Sequence, residues 1–183
     1  MAGLTVWRHA LPVAVRGRCI GRTDVPVDRR KSKRLAHRIR AWARRQGVPR
    51  VVVTSPLRRS AEVGRWLARW GWQHRVDARL VELDFGDWDG RAWCDVSLAA
   101  IDEWCVDFAD RPPGGGEPVA SLLARCAGFM ADLQPDGARC VVGHAGWISA
   151  ALWLQQSGEA APEAASWPGS VRYGARVELG WTA

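Results

Sequence analysis

Residues 51–71 read VVVTSPLRRSAEVGRWLARWG, a short apolar run followed by a helical stretch that ends at a glycine. The run 51–53 has no polar position, which is typical of a strand buried on both faces of a sheet. A helix is predicted over about 58–70, because Gly71 is a common stop signal. A buried strand that leads directly into a helix is the repeating unit of an α/β protein.

The same alternation extends from this unit in both directions along the chain. Further strands are predicted over 4–7, 75–80 and 139–142, with one or two more in 170–181. Further helices are predicted over 29–46, part of 98–109, the stretch opened by Pro118, and 147–156. The pattern indicates an α/β fold, a three-layer sandwich with a mainly parallel central sheet and helices on both faces.

Length, net charge, apolar runs and cysteine content limit the classes of protein to which the chain can belong. It has 183 residues and a formal net charge of +7, a length that suits one domain with a sizeable core. No apolar run reaches the roughly 18 residues of a membrane span, and the start lacks a signal-peptide pattern. The five cysteines are scattered, which disfavours a zinc ribbon or a disulfide framework. A cytoplasmic protein is therefore expected.

The stretch 29–50 contains many bases and no acid. Such a stretch can attract nucleic acid, an anionic membrane or a phosphate-bearing ligand. However, Leu35, Ile39 and Trp42 recur through it at helical spacing, which favours an amphipathic helix with its basic side in water. Neither nucleic acid nor a membrane is therefore expected as a partner.

Polar residues follow the ends of four predicted strands. The carboxyl ends of parallel strands meet at one edge of the sheet, and ligands of α/β proteins bind there. Guanidinium groups bind a phosphate dianion, an imidazole can attack phosphorus, and a carboxylic acid can protonate a leaving group. In strand order the residues are Arg8 and His9, Thr54 with Ser55, Arg58 and Arg59, Glu82, and His144.

The motifs that contain these residues resemble those of the histidine phosphatase superfamily, also called phosphoglycerate mutase-like. Their order and spacing match over nearly the whole chain. They are Arg8-His9-Ala10, Ser55-Pro56-Leu57-Arg58-Arg59, Glu82-Leu83-Asp84-Phe85-Gly86-Asp87-Trp88-Asp89-Gly90, and His144-Ala145-Gly146. The resemblance implies a single histidine phosphatase domain over residues 1–183.

The resemblance also implies roles for the site residues. It implies a histidine acid-type phosphatase, a phosphoric monoester hydrolase that works through a phosphohistidine at His9. Glu82 is the expected proton donor to the leaving group. Arg8, Arg59 and His144 are the expected phosphate-binding and catalytic partners. No cofactor is expected.

The chain departs from the family pattern at several positions. Ala10 and Ala145 stand where the family has glycine, and each is expected to be harmless because a negative φ is expected there. Ala145 is still expected to line the substrate site. The family's phosphate-contacting asparagine has no counterpart in the apolar stretch 13–15, so Arg16 or Thr23 is expected to bind phosphate instead.

Two further groups of residues have alternative interpretations. Three aspartates in the motif after Glu82 offer ligands for a divalent cation, but the family motif explains their spacing, so no metal is expected. Three tryptophans close in sequence to the site residues are expected to pack, with an aromatic wall of the pocket as the alternative. These residues are Asp84, Asp87 and Asp89, and Trp7, Trp88 and Trp147.

Two further stretches of sequence limit the choice of expected substrate. Residues 19–27 and 113–117 are similar to α-ribazole phosphatase-like members, which act in cobalamin assembly, so α-ribazole 5'-phosphate is the candidate substrate. A phosphoglycerate mutase is disfavoured because only about sixty residues separate Glu82 from His144. A non-catalytic phospho-ligand-binding protein is disfavoured because all the motif residues are present. The expected partner is a small phosphomonoester, and a homodimer stays open.

Overall fold

A sheet of five strands forms the centre of the computed structural model, which describes residues 2–133, 139–158 and 160–181. The strands are β1 (Ala2–Arg8), β2 (Val51–Thr54), β3 (Gln73–Val76), β4 (Cys140–Gly143) and β5 (Arg176–Trp181). The helices are α1 (Arg29–Gln46), α2 (Arg58–Ala68), α3 (Leu98–Val106), α4 (Val119–Ala131) and α5 (Ala145–Ser157). The strand order is β3-β2-β4-β1-β5, in which only β5 pairs antiparallel. The predicted α/β fold with a mainly parallel sheet is confirmed.

The two faces of the sheet are covered by different helices. Along β4, Val141 packs into a core shared with α4 and α5, whereas Cys140 and Val142 pack against α1 and α2. Successive side chains of a strand point to opposite faces, so a strand between two helical layers must be apolar throughout. This requirement explains why the inner strands show no polar alternation.

The basic stretch forms α1 over the predicted residues, with its apolar stripe buried. Asp28 caps the helix, because its carboxylate accepts hydrogen bonds from two backbone N–H groups of the first turn. Gly47 ends the helix in the left-handed conformation, with φ at 63°. The buried stripe contains Leu35, Ile39 and Trp42, as predicted.

The third strand is placed differently from the prediction. It spans Gln73–Val76 and not 75–80. Asp77 ends it, because its carboxylate accepts a hydrogen bond from the backbone N–H of Arg79 at 2.8 Å and caps a short 3-10 turn over Ala78–Leu80. A polar residue that satisfies backbone donors locally competes with the strand ladder.

Other boundaries shift by one to three residues. Helix α2 ends at Ala68 and not at 70, and α5 begins at Ala145 and not at 147. The tail forms one strand, β5, at the edge of the sheet. All five cysteines lie within the described residues and carry free thiols. Among the described residues no helix is long and apolar enough to cross a membrane.

The register of the sheet brings three strand ends together. Arg8 pairs with Gly143 across β1 and β4, and Thr54 pairs with Val142 across β2 and β4. The residues that come next, which include two histidines, therefore emerge side by side at the carboxyl edge.

Candidate active site

His9, Arg59 and His144 meet at the carboxyl edge of the sheet. The ring centroids of the two histidines lie 5.0 Å apart. Arg59 donates a hydrogen bond from Nε to Nδ1 of His144 at 3.2 Å. All three side chains are buried. The structure therefore brings together residues that are separated by up to 135 positions in the sequence.

The hydrogen bonds of His9 determine which ring nitrogen is available. Its Nδ1 lies 2.8 Å from the carbonyl oxygen of Ala10, and because a carbonyl only accepts, Nδ1 carries the proton. In the neutral ring the lone pair is then on Nε2. Burial first, and then the charges of Arg59 and Arg8, hold the pKa of His9 well below its usual value. His9 is therefore a neutral imidazole at pH 7, as a nucleophile requires.

Arg59 is held by three acceptors of the protein. Besides its bond to His144, Nη1 donates to the carbonyl of Thr23 at 2.8 Å and Nη2 donates to the carbonyl of Gly21 at 2.5 Å. Burial lowers the pKa of Arg59, and the negative charges of Glu82 and others oppose the shift. A guanidinium has five N–H groups, so two remain beyond these three bonds. A buried, oriented cation with spare donors is suited to bind an anion.

Arg8 is held by the segment that precedes β5. Its Nη1 donates to Oγ of Ser170 at 3.0 Å and to the carbonyl of Val171 at 2.5 Å. Its Cζ atom lies 3.7 Å from the ring centroid of Tyr173. Its Nε is buried and has no hydrogen-bond partner among the described residues. An unpaired buried donor costs about 1–3 kcal/mol, which a bound anion would offset.

His144 uses both ring nitrogens within the protein. Because a guanidinium only donates, Nδ1 is the acceptor in the bond from Arg59, and Nε2–H donates to Oγ of Ser55 at 2.7 Å. Burial and the charge of Arg59 keep the pKa of His144 well below its usual value. These bonds tie His144 to the orientation of Arg59.

Glu82 lies close to the same groups. Its Oε1 accepts from the backbone N–H of Leu83 at 3.0 Å, and its Oε2 accepts from that of Gly146 at 3.2 Å. A Cβ atom at Gly146 would collide with this carboxylate, so a larger residue there would displace the side chain of Glu82. The charge of Glu82 also acts on Arg8 and Arg59. The site thus combines two imidazoles, two guanidinium groups and one carboxylate.

The backbone that carries Glu82 is held from α4 by Arg125. This side chain donates to the carbonyls of Arg79, Val81 and Glu82 at 2.7, 2.6 and 3.1 Å. It also forms a two-pronged ion pair with Glu117 at 2.7 and 2.9 Å. Arg125 could not be predicted from the sequence, because the carbonyl groups that it binds are 43 to 46 residues away and no local motif marks it.

The two residues expected to replace the missing asparagine behave differently. Arg16 is exposed, and no described contact joins it to the site. Thr23 also has an exposed side chain, but its backbone carbonyl holds Arg59. Neither side chain is therefore brought into contact with His9 by the structure.

The alanines that replace family glycines have ordinary backbone conformations. Among the described residues, Ala14 is the only one other than glycine with a positive φ, at 56°. Ala10 and Ala145 therefore have negative φ, as predicted. Ala145 is the first residue of α5, directly after His144.

The aspartates of the glutamate motif make contacts within the protein. The carboxylate of Asp89 accepts from the backbone N–H groups of Gly21 and Thr23 at 2.8 and 2.7 Å, which holds the loop that in turn holds Arg59. Asp84 pairs with Arg22 at 3.6 Å. In the parts of the chain that the structure describes, no group of three or more His, Cys, Asp or Glu side chains could hold a metal ion.

The aromatic neighbour of His9 is Tyr173, and the sequence analysis did not single it out. Their ring centroids lie 5.5 Å apart. The tryptophans considered as a pocket wall are instead buried, and Trp7 and Trp147 lie in the two main cores. Tyr173 was missed because it precedes an edge strand and carries no motif.

The chain belongs to the histidine phosphatase superfamily (branch 1), whose family model matches residues 4–172. The glucosyl-3-phosphoglycerate phosphatase of Mycobacterium tuberculosis is 30% identical over 155 aligned positions, which cover 71% of this chain and 69% of the relative. The resemblance inferred from the motifs is thereby confirmed, and these relatives are phosphatases.

Solved structures show the same similarity in three dimensions. Mycobacterial glucosyl-3-phosphoglycerate phosphatase in complex with VO3 aligns with a TM-score of 0.80 at 27% identity, covering 98% of this chain and 91% of that one. A protein of Thermus thermophilus aligns with a TM-score of 0.73 at 25% identity, covering 98% of this chain and 94% of that one. The fold is therefore that of histidine phosphatases over nearly its whole length.

Proposed function

We propose that this protein is a phosphomonoesterase that hydrolyses a small phosphorylated metabolite through a phosphohistidine at His9. One observation carries the proposal. A buried neutral imidazole, with its lone pair on Nε2, lies near two guanidinium groups that have N–H donors to spare. Such a pocket attracts a phosphate dianion and presents a nucleophile to it.

The first half of the reaction transfers the phosphoryl group to the enzyme. Nε2 of His9 attacks phosphorus while the bond from phosphorus to the leaving oxygen breaks. Glu82 gives its proton to that oxygen. Arg8 and Arg59 stabilise the negative charge on the three equatorial oxygens in the transition state. His144 keeps Arg59 in the orientation that this requires.

The second half regenerates the free enzyme. Glu82 accepts a proton from a water molecule that attacks phosphorus, and the bond from phosphorus to Nε2 breaks. Inorganic phosphate and a neutral His9 result. The cycle needs no metal ion and no cofactor, because two guanidinium groups neutralise the phosphate charge.

Two substrates are the leading candidates. The stretches 19–27 and 113–117 favour α-ribazole 5'-phosphate and hence a role in cobalamin assembly, and the first of them contains the carbonyls that hold Arg59. The similarity to glucosyl-3-phosphoglycerate phosphatases favours a phosphorylated sugar acid. A cytoplasmic location, a single domain over residues 1–183 and a homodimer stay predictions.

The test is phosphate release from a panel of esters by the purified protein. The panel contains α-ribazole 5'-phosphate, glucosyl-3-phosphoglycerate, 3-phosphoglycerate and p-nitrophenyl phosphate, each with and without EDTA. We expect release from at least one ester, unaffected by EDTA. Exchange of phosphate between phosphoglycerates without release would indicate a mutase instead.

The nucleophile is tested by trapping the phosphoenzyme. Rapid quenching with a radiolabelled ester should give labelled wild-type protein and an unlabelled, inactive His9→Ala variant. The matched control is His37→Ala, which removes an exposed histidine of α1 and should behave like the wild type. A His9→Ala variant that still becomes labelled would refute the proposal.

A further inference from the structure

The segment between α5 and β5 lies against the first motif. The backbone N–H of Gly174 is shared between the carbonyls of Arg8 and His9, at 3.0 and 3.2 Å. Ser170 and Val171 accept hydrogen bonds from the guanidinium of Arg8. The segment is therefore attached to the backbone and to the side chain of the first motif.

Tyr173 is the residue of this segment whose side chain contacts both Arg8 and His9. Its ring packs against the guanidinium of Arg8 and lies 5.5 Å from the ring of His9, centroid to centroid. Its hydroxyl end lies within electrostatic range of the guanidinium groups of both Arg8 and Arg59. Its ring thus contacts two of the groups that would surround a phosphate, Arg8 and His9.

The exposure of Tyr173 places it on the open side of this pocket. Its relative exposure is 39%, whereas His9 and Arg59 are 4% and 1% exposed. Among the described residues its hydroxyl has no hydrogen-bond partner. An uncommitted hydroxyl beside two cations is an available donor to an anion held between them.

The stretch that follows the first motif offers no hydroxyl of this kind. Residues 11–15, which follow the first motif, carry no polar side chain. The side chain of Thr23 is exposed, and no described contact joins it to His9. The hydroxyl of Ser55 accepts a hydrogen bond from His144 and that of Ser170 accepts one from Arg8, whereas the hydroxyl of Tyr173 has no partner among the described residues.

We propose that Tyr173 is a substrate-binding residue whose hydroxyl donates a hydrogen bond to the phosphoryl group, while its ring keeps Arg8 in place. The inference rests on the proposed function, because it assumes that the phosphoryl group lies between Arg8 and Arg59. The hydroxyl oxygen of Tyr173 then binds the phosphoryl group, and its ring separately holds the guanidinium of Arg8.

Two substitutions separate these tasks. Tyr173→Phe removes the oxygen and keeps the ring against Arg8, and it should weaken inhibition by orthovanadate and by inorganic phosphate roughly 10-fold, the typical effect of one hydrogen bond to a charged group. Tyr173→Leu also removes the ring, and it should weaken inhibition by a further factor of about three, since the cation–π contact with Arg8 is lost. The Michaelis constant should rise in parallel.

The control removes a hydroxyl elsewhere. Ser121 is exposed on α4, and Ser121→Ala should leave both inhibition constants and turnover at wild-type values. Thermal unfolding of all three variants, followed by circular dichroism, reports whether they fold. Tyr173→Phe changes one atom, so its fold should persist even if that of Tyr173→Leu does not.

The outcomes separate this inference from the function itself. Wild-type affinity for both anions in Tyr173→Phe would overturn the role of the hydroxyl, and equal losses in the two variants would overturn the role of the ring. Orthovanadate binding is measured directly by calorimetry as well as by inhibition. A wild-type protein that binds vanadate but hydrolyses no ester would therefore refute the proposed function and still decide the role of Tyr173.

Discussion

The arginines at the carboxyl edge of the sheet and those on the outer faces of α1 and α2 have opposite surroundings. Arg59 is 1% exposed, and backbone carbonyls and an imidazole take three of its nitrogens. Arg40 and Arg69 are exposed, and their guanidinium groups lie 5.1 and 4.7 Å from the ring centroids of Trp70 and Trp66. The same residue type is a buried, oriented cation in one region and a surface contact in the other.

A cavity beside the exposed arginines of α1 shows that positive charge and volume alone do not make a catalytic site. It has a volume of about 650 Å³, and cationic side chains and tryptophans line it, including Arg40, Arg44 and Trp70. It also contains Gly47 and Arg50, which precede β2, so it lies at the amino edge of the sheet, away from His9. None of its lining residues is a carboxylate, so it has no counterpart of Glu82.

The strongest test of the comparison changes a carboxylate in each region. Glu82→Gln should lower turnover by about 10²–10⁴-fold with little change in substrate affinity, because the loss is a proton transfer. Glu62→Gln, which removes a carboxylate paired with Arg29 on the outer face, should stay within about twofold of wild type. Steady-state kinetics at pH 7 measure both. Full turnover in Glu82→Gln would remove it from the mechanism.

A second pair of variants exchanges arginine for lysine. Arg59→Lys should lower kcat/KM by about 10²–10³-fold, because an ammonium cannot reproduce the fork that three protein acceptors and a phosphate share. Arg69→Lys should leave kcat/KM unchanged, since its indole contact tolerates either cation. Equal effects in the two variants would show that the surroundings of the two arginines do not matter.

A substitution of Arg125 tests whether its hydrogen bonds hold the backbone of Glu82 in place. Arg125→Met should lower kcat roughly 10-fold through a misplaced Glu82, and should lower the free energy of unfolding by about 2–3 kcal/mol because Glu117 keeps a largely buried charge. Adding Glu117→Gln should recover part of the stability but not the turnover. Urea unfolding and kinetics on the same samples distinguish the two losses.

The buried histidines predict a dependence of stability on pH. Burial first, and then Arg59, lower the pKa values of His9 and His144 below 6.5. Between pH 6.5 and 5 the unfolded chain therefore binds more protons than the folded one, so the free energy of unfolding must fall as the pH falls. Each histidine that stays neutral contributes a loss of roughly 2 kcal/mol over that range.

Urea unfolding at a series of pH values measures this loss. His144→Asn should flatten the dependence between pH 6.5 and 5, whereas His37→Asn on the exposed face of α1 should not. The carboxyl groups of Asp77 and Glu117 also have lowered pKa values, but their contributions are lost only below about pH 4.5. A stability that rises on acidification through this range would contradict the assignment.

The smallest effect on stability and turnover is expected for a substitution on the outer face of α1. Arg40→Gln should change the free energy of unfolding by no more than about 0.5–1 kcal/mol, the range of an exposed cation–π contact, and should leave turnover unchanged. Thermal unfolding and the p-nitrophenyl phosphate assay measure the two quantities. A substantial loss of turnover would connect the two regions that the comparison separates.

Much of the fold was predictable because its signals are local. The apolar strand β2, the capped basic helix α1 and the glycine that ends it can be identified within windows of about 20 residues. The bounds of β3 were predicted wrongly because its signal is not local. The strand Gln73–Val76 is mostly exposed and polar, so its identity depends on pairing with β2, which no local window contains.

The sequence by itself determined the α/β alternation, the motif residues at the strand ends and the family, because periodicity and motif spacing are properties of the linear chain. Only the tertiary structure decided that His144 orients Arg59, that Arg125 holds the segment of Glu82, and that Tyr173 lies beside His9. Each of these contacts joins residues that are more than 40 positions apart. Their hydrogen bonds and ring contacts depend on distances of a few ångströms, which packing sets and sequence spacing does not.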